Sequence, residues 1–109
     1  MRLALIFAVV IHGLIHFLGF AKAFNLLTVT ELTQPIPRST GIFWFQAALL
    51  FLFVAAGILI KKDWWWMLAI VAVILSQFLI LGNWQDAKVG TFLNVLILCA
   101  AIIGYADWK

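Results

Sequence analysis

Charged side chains are scarce in this sequence. Among 109 residues there are 7 Lys and Arg and 4 Asp and Glu, so that charged residues make up 10% of the chain and hydrophobic residues 67%. Soluble domains contain about 25% charged and roughly 45–50% apolar residues. The chain therefore lacks the polar surface of a water-soluble enzyme or a disordered tail. Its few basic residues are also not clustered as a nucleic-acid surface requires.

Cysteine and the common catalytic motifs are equally sparse. The single cysteine, Cys99, excludes an intrachain disulfide and any cysteine-rich metal or redox motif, and we interpret it as a small packing residue. The sequence contains no G-x-S-x-G, H-E-x-x-H or phosphate-binding loop, so no motif supports hydrolysis or nucleotide binding. We predict no catalytic residues.

Long apolar runs take the place of these features. A membrane-spanning helix needs about 20 mainly apolar residues, and four runs qualify, at 3–24, 42–60, 64–81 and 89–105. None alternates with a period of two, so helices rather than a β-barrel are predicted. The short connection between the second and third runs makes these two helices antiparallel neighbours. We therefore predict an all-α fold, a four-helix transmembrane bundle with antiparallel up-down topology. It forms a single integral membrane domain over 1–109 with an extramembrane loop at 25–40.

The distribution of basic residues predicts the orientation. Four crossings place both termini on one side, and that side carries four basic residues against three on the other: Arg2, Lys61, Lys62 and Lys109 against Lys22, Arg38 and Lys88. Because Lys and Arg concentrate in cytoplasmic loops, the count favours cytoplasmic termini. Tryptophans at the predicted membrane edges, Trp44 among them, agree with these boundaries.

The few polar residues inside the spans are expected at similar depths. With a rise of about 1.5 Å per residue, His16, Gln46, Gln77 and Asn94 come from four different helices to one level, and His12 lies one turn deeper. Polar groups in a bilayer are costly unless they find partners. We predict one buried polar cluster, whose five residues are the candidate ligand-binding or proton-binding site.

His12 and His16 leave three interpretations open. At i and i+4 they share one helix face, where they could make structural hydrogen bonds, handle a proton or a ligand, or bind a metal or haem. A zinc site needs further His, Cys, Asp or Glu ligands, and the spans offer only Cys99, which lies too far along its helix. We therefore predict no metal site and leave the cofactor unknown.

A second polar group borders the predicted membrane surface opposite the termini. It comprises Lys22, Asn83, Asp86 and Lys88. These residues form either a solvated rim with capping and snorkelling side chains or an entrance lined with charge.

Several motifs together resemble a family of uncharacterised bacterial integral membrane proteins. They are HGLIH at 12–16, GFAKAF at 19–24, TQPI at 33–36, SQ at 76–77 and NWQDAKVGT at 83–91 with Asn94. In that family a four-helix membrane region of this length often precedes a larger soluble domain. The resemblance implies a bacterial cytoplasmic membrane and implies no activity. Length and helix count also resemble the small multidrug exporters, but no span here contains the acidic residue on which those proteins depend.

Two functions remain open at this point. The first is a non-enzymatic accessory or scaffolding subunit, because the chain has almost no mass outside the membrane and its lipid-facing surfaces could contact a larger membrane protein complex or a second copy. The alternative is a protein that binds or transports a small molecule, a quinone or protons through the buried His, Gln and Asn side chains. The lipid bilayer is the expected environment, and nucleic acid is not an expected partner.

Overall fold

Four helices make up most of the molecule. The computed structural model describes residues 2–24, 26, 36–84 and 88–108, and no β-strand occurs in this part of the chain. The helices are α1 (Arg2–Ala23), α2 (Arg38–Leu59), α3 (Trp65–Gly82) and α4 (Val89–Trp108). The predicted all-α fold is confirmed.

The second helix begins earlier than predicted. α2 starts at Arg38, so its first turn occupies 38–40, which we had assigned to the extramembrane loop. Pro37 precedes it in an extended conformation, and its ring lacks the N–H that the start of a helix leaves unbonded in any case. Polar Ser39 and Thr40 are accommodated within the first turn, where an apolar-run criterion does not detect a helix. Most of the predicted loop, 27–35, lies outside the described residues.

Close contacts between helices establish the up-down topology. Gly13 of α1 lies against Phe51 of α2. Gly19, which is later in α1, lies against Trp44, which is earlier in α2. On α3 and α4, Trp65 packs over Gly104. At the other end of α3, Ile80 packs over Gly90. Opposite sequence order in each pair means antiparallel helices.

The dimensions and surface are those of a small membrane protein. α1, α2 and α3 are each long and apolar enough to cross a membrane, and the described apolar part of α4, Val89–Gly104, is shorter. The bundle is 42 Å long and 22 Å across, enough for a hydrocarbon layer of about 30 Å. Large apolar side chains, such as those of Phe7, Ile74 and Phe92, are exposed around its circumference.

The main apolar core lies toward the end of the bundle that holds the start of α1, and apart from Phe51 its buried residues are small or branched. Val9, Val54, Ala69, Ala72 and Ile97 are buried there from all four helices. A second apolar cluster, around Trp44 and Leu79, lies toward the opposite end. Polar side chains occupy the level between these two clusters, and they form the candidate site.

Candidate functional site

A buried hydrogen-bond network joins three of the four helices. Its members are His12 and His16 on α1, Ser76 and Gln77 on α3, and Thr91 and Asn94 on α4. His12 and His16 are each 1% exposed, Ser76 is 0% and Asn94 2%, whereas Gln77 and Thr91 are half-buried. The network is therefore closed off from lipid over most of its extent.

The helical repeat brings these side chains to one place. His12 and His16 are one turn apart on the face of α1 that also buries Val9 and Gly19. Ser76 lies on the same face of α3 as the small residues Ala69 and Ala72. Small side chains on this face allow α3 to pack closely against its neighbouring helices.

Asn94 is the centre of the network because it makes three hydrogen bonds. Its Oδ1 accepts from Nε2 of His12 over 2.7 Å. Its Nδ2 donates to Oγ of Ser76 over 3.1 Å and to Oε1 of Gln77 over 3.0 Å. One side chain of α4 thus connects α1 with α3.

In His16, Nε2 accepts a hydrogen bond, whereas in His12 the same ring nitrogen donates one. Its Nδ1 donates to the backbone oxygen of His12 over 2.8 Å, so Nε2 is the acceptor in the neutral ring. Ser76 then donates its hydroxyl proton to this Nε2 over 2.7 Å. Two neutral imidazoles therefore satisfy the whole pattern, with the proton on Nε2 in His12 and on Nδ1 in His16.

The half-buried edge of the network lies between α3 and α4. Nε2 of Gln77 donates to Oγ1 of Thr91 over 3.0 Å, while the amide oxygen of Gln77 accepts from Asn94. Together these two hydrogen bonds fix both the nitrogen and the oxygen of the Gln77 amide.

α2 contributes an aromatic wall and no hydrogen bond. The Phe51 ring lies 4.8 Å from the His12 ring and 5.3 Å from the His16 ring, and the Trp44 ring lies 5.1 Å from that of His16. Gly19 makes this packing possible, because a Cβ at that position would lie 2.5 Å from Cδ2 of Trp44. These ring contacts pack α2 against the two imidazoles and cover them on that side.

One polar atom in the network has no partner. Nδ1 of His12 is buried without a hydrogen bond, and in the tautomer set by Asn94 it carries a lone pair. An unpaired buried acceptor is costly, typically about 1–3 kcal/mol.

The structure brings together four of the five predicted site residues, namely His12, His16, Gln77 and Asn94, and it separates Gln46 from them. Gln46 is exposed on the outer side of α2 and takes no part in the network. Depth alone does not place a side chain. Trp44 and Ala48 are buried two positions away on either side, and two positions correspond to about 200° around a helix, so Gln46 points outward. Its inclusion in the cluster was wrong.

Two members of the network were not among the predicted site residues. Ser76 and Thr91 belong to the SQ and NWQDAKVGT motifs, but neither was named as a candidate site residue. Ser76 shares a face with Ala69 and Ala72, and Thr91 lies three positions before Asn94. Helical spacing relative to an already chosen amide or small residue would have identified both.

The predicted rim is only partly described. Lys22 near the end of α1, Asn83 after α3 and Lys88 before α4 lie at the same end of the bundle, whereas Asp86 lies outside the described residues. Asn83 is buried and Lys88 is exposed.

The structure also changes the interpretation of Trp44 and Cys99. The Trp44 ring is buried beside His16 and does not lie on the outer surface of the bundle, because Gly19 leaves room for it. Cys99 is exposed on α4 and is not a packing residue.

The described residues include no group of three His, Cys, Asp or Glu side chains placed to hold a metal ion. The arrangement as a whole can hold three helices in register and leaves one buried acceptor, Nδ1 of His12, unpaired. No protein-family model, curated protein or solved structure matches the chain.

Proposed function

We propose that this protein is a non-enzymatic accessory or scaffolding subunit that contacts other membrane-spanning helices through the outer face of α2. The observation that carries the proposal is the position of Gln46. This residue lies about 4 Å from the midpoint of a 22-residue helix, at 1.5 Å per residue, and its side chain is exposed.

The surroundings of Gln46 form an apolar surface suited to helix packing. Ile42, Phe43, Leu49 and Phe53 are exposed at spacings of three, four and seven residues from it. We call this set, with Gln46, the α2 outer face. A second helix lying along it would cover the aliphatic and aromatic groups together with the amide.

Energetics favours a covered amide. A glutamine side chain near mid-membrane is too short to reach the headgroups, and lipid chains offer it no hydrogen bond. Interhelical side-chain hydrogen bonds contribute about 1–2 kcal/mol in membrane peptides. A partner helix that presents a polar group at the same depth would recover this energy.

The interior supports the same role. Apart from one nitrogen of His12, the buried side chains of the network bind each other, which is what a stable scaffold requires. We also propose, from the bacterial resemblance and the lysine distribution, that the protein resides in a bacterial cytoplasmic membrane with both termini on the cytoplasmic side.

Photo-crosslinking in native membranes tests the proposal. A photoreactive residue at Leu49, one turn from Gln46, should give protein adducts, and Gln46→Leu should reduce them by about 5–30-fold, which corresponds to 1–2 kcal/mol. The matched control is a photoreactive residue at Ile74, which is exposed on α3. Equal protein adducts from both positions, or lipid adducts alone from Leu49, would contradict the proposal.

A second candidate function rests on the unpaired Nδ1 of His12. A small donor such as a protonated quinone oxygen, or a proton itself, could occupy this position in a binding or transport protein. Binding of a quinone analogue should then quench the fluorescence of Trp44, which packs on His16, and His12→Leu should abolish the quenching while Gln46→Leu leaves it intact. Quenching that survives His12→Leu would exclude this candidate.

A further inference from the structure

A cleft opens between α1 and α4 at the end of the bundle opposite the predicted rim. It has a volume of about 770 Å³, within the usual range for a small-molecule site. Its walls are apolar: Ala4, Leu5 and Ala8 from α1, and Leu96, Ala100 and Ile103 from α4. The cleft lies apart from the buried network and from the α2 outer face.

Helix packing explains why this cleft exists. α1 packs extensively on α2, and α3 packs on both α2 and α4, whereas α1 makes few contacts with α4. Alanines on both walls leave the space unfilled. The Trp65 indole also lines the cleft. It packs closely over Gly104, where an added Cβ would lie 2.5 Å from Cζ2 of the indole. The cleft is therefore a gap between two helices that make few contacts with each other.

Basic residues lie at the mouth of the cleft. Lys61, Lys62 and Asp63 belong to the turn between α2 and α3, line the cleft and are exposed. The turn is at the end of the bundle, where headgroups lie when the helices cross a membrane. An apolar cleft with two ammonium groups and one carboxylate at its mouth complements an amphiphile with a negative head.

The conformation of Lys61 is the second observation. The N–H of Lys62 binds the oxygen of Gly57 over 2.9 Å and that of Lys61 binds Ile58 over 3.2 Å, the hydrogen bonds of a Schellman turn. Lys61 occupies the position in that turn which normally carries glycine, and its φ is 59°. A lysine is strained there, whereas a glycine would not be. Lysine at this position, instead of glycine, places a second ammonium group at the mouth of the cleft.

We propose that this cleft binds an anionic phospholipid, with an acyl chain between α1 and α4 and the phosphate at Lys61 and Lys62. A soluble phosphate would need the lysines but not the apolar walls. A zwitterionic phospholipid would fill the walls but gain little from the lysines. Only the anionic lipid uses both features.

Native mass spectrometry of the delipidated protein in detergent tests the proposal. We would titrate phosphatidylglycerol and phosphatidylcholine with identical acyl chains, and glycerol phosphate as the free headgroup. We expect one phosphatidylglycerol to bind about tenfold more tightly than phosphatidylcholine, and glycerol phosphate not to compete, because a lysine near an anionic headgroup contributes about fivefold and Asp63 offsets part of the sum.

Charge variants separate the cleft from general attraction to basic residues. Lys62→Gln should weaken phosphatidylglycerol binding by about fivefold, and Asp63→Asn should strengthen it. Lys61→Gly should weaken binding to a similar extent and at the same time raise the Tm of the lipid-free protein, since it removes the strain. Lys88→Gln, at the other end of the bundle, is the matched control and should change neither quantity.

A filled cleft gives the third test. Ala100→Phe should abolish tight binding of one phosphatidylglycerol, whereas Ala56→Phe on the exposed side of α2 should not. Should Ala100→Phe lower the Tm, the smaller Ala100→Leu should still weaken binding in a folded protein. The proposal is overturned by equal affinity for the two lipids, by an effect of Lys88→Gln equal to that of Lys62→Gln, by competition from glycerol phosphate, or by unchanged binding in the filled variants.

Discussion

Replacement of Asn94 by leucine is the sharpest test of the buried network. Asn94→Leu removes three hydrogen bonds at a position that is 2% exposed. The consequence depends on what the three partners can do next. Oγ of Ser76 still donates to His16, and the half-buried Gln77 can turn toward the membrane, but Nε2–H of His12 loses its acceptor inside the core.

The expected loss in the free energy of unfolding follows from what happens to these three partners. The unpaired buried donor of His12 costs about 1–3 kcal/mol, and the two other lost hydrogen bonds add about 0.6 kcal/mol each on the average membrane scale. We therefore expect Asn94→Leu to lower the free energy of unfolding by about 2–4 kcal/mol. The assay is reversible unfolding in mixed detergent micelles, followed by the change in helical circular dichroism.

A double-mutant cycle isolates the bond between the first and last helices. His12→Leu combined with Asn94→Leu removes both partners, so the pair should be less destabilised than the sum of the single variants by about 1 kcal/mol, within the range measured for membrane hydrogen bonds. Gln46→Leu is the matched control, because it replaces an exposed amide of a similar depth and should alter stability by less than about 0.5 kcal/mol. A loss below about 0.5 kcal/mol for Asn94→Leu, or strict additivity in the cycle, would refute the proposed hydrogen-bond pattern.

Three other measurements follow from the structure. Nitrogen-15 NMR in bilayers should find His12 protonated on Nε2 and His16 on Nδ1, and the same tautomer in both rings would contradict the direction of the network. Gly19→Ala should cost about 1–3 kcal/mol of stability because its methyl group would overlap the buried Trp44 ring, whereas Gly82→Ala, with nothing within 4 Å, should cost nothing; similar losses in thermal unfolding would show that the close contact is not limiting. A fluorescent protein fused to the C-terminus should fluoresce in bacterial cells if the termini are cytoplasmic, and an alkaline phosphatase fusion that is active instead would reverse the orientation.

The helices could be predicted from the sequence because lipid allows few alternatives. A backbone in hydrocarbon must satisfy its own hydrogen bonds, so four apolar runs of sufficient length translate directly into four helices. The start of α2 was missed because its first turn is polar, at Arg38, Ser39 and Thr40, and only backbone geometry identifies it as helical.

The site could be predicted only in part, because depth and direction are different quantities. Counting residues gave the correct level for His16, Gln77 and Asn94, which meet in the structure. The same count gave no rotation about the helix axis, and for Gln46 the rotation places the side chain outside. The direction of the Trp44 side chain was missed for a related reason, since residue counting does not reveal the space that Gly19 leaves for its ring.

The long sequence separation within the network has a consequence for biosynthesis. His16 finds Ser76 60 residues later, and His12 finds Asn94 82 residues later. At about 5–20 residues per second, roughly 4–16 s pass between translation of His12 and translation of its acceptor. Throughout that interval Nε2 of His12 lacks its native acceptor, so the bond between the first and last helices forms only after the fourth helix has been made.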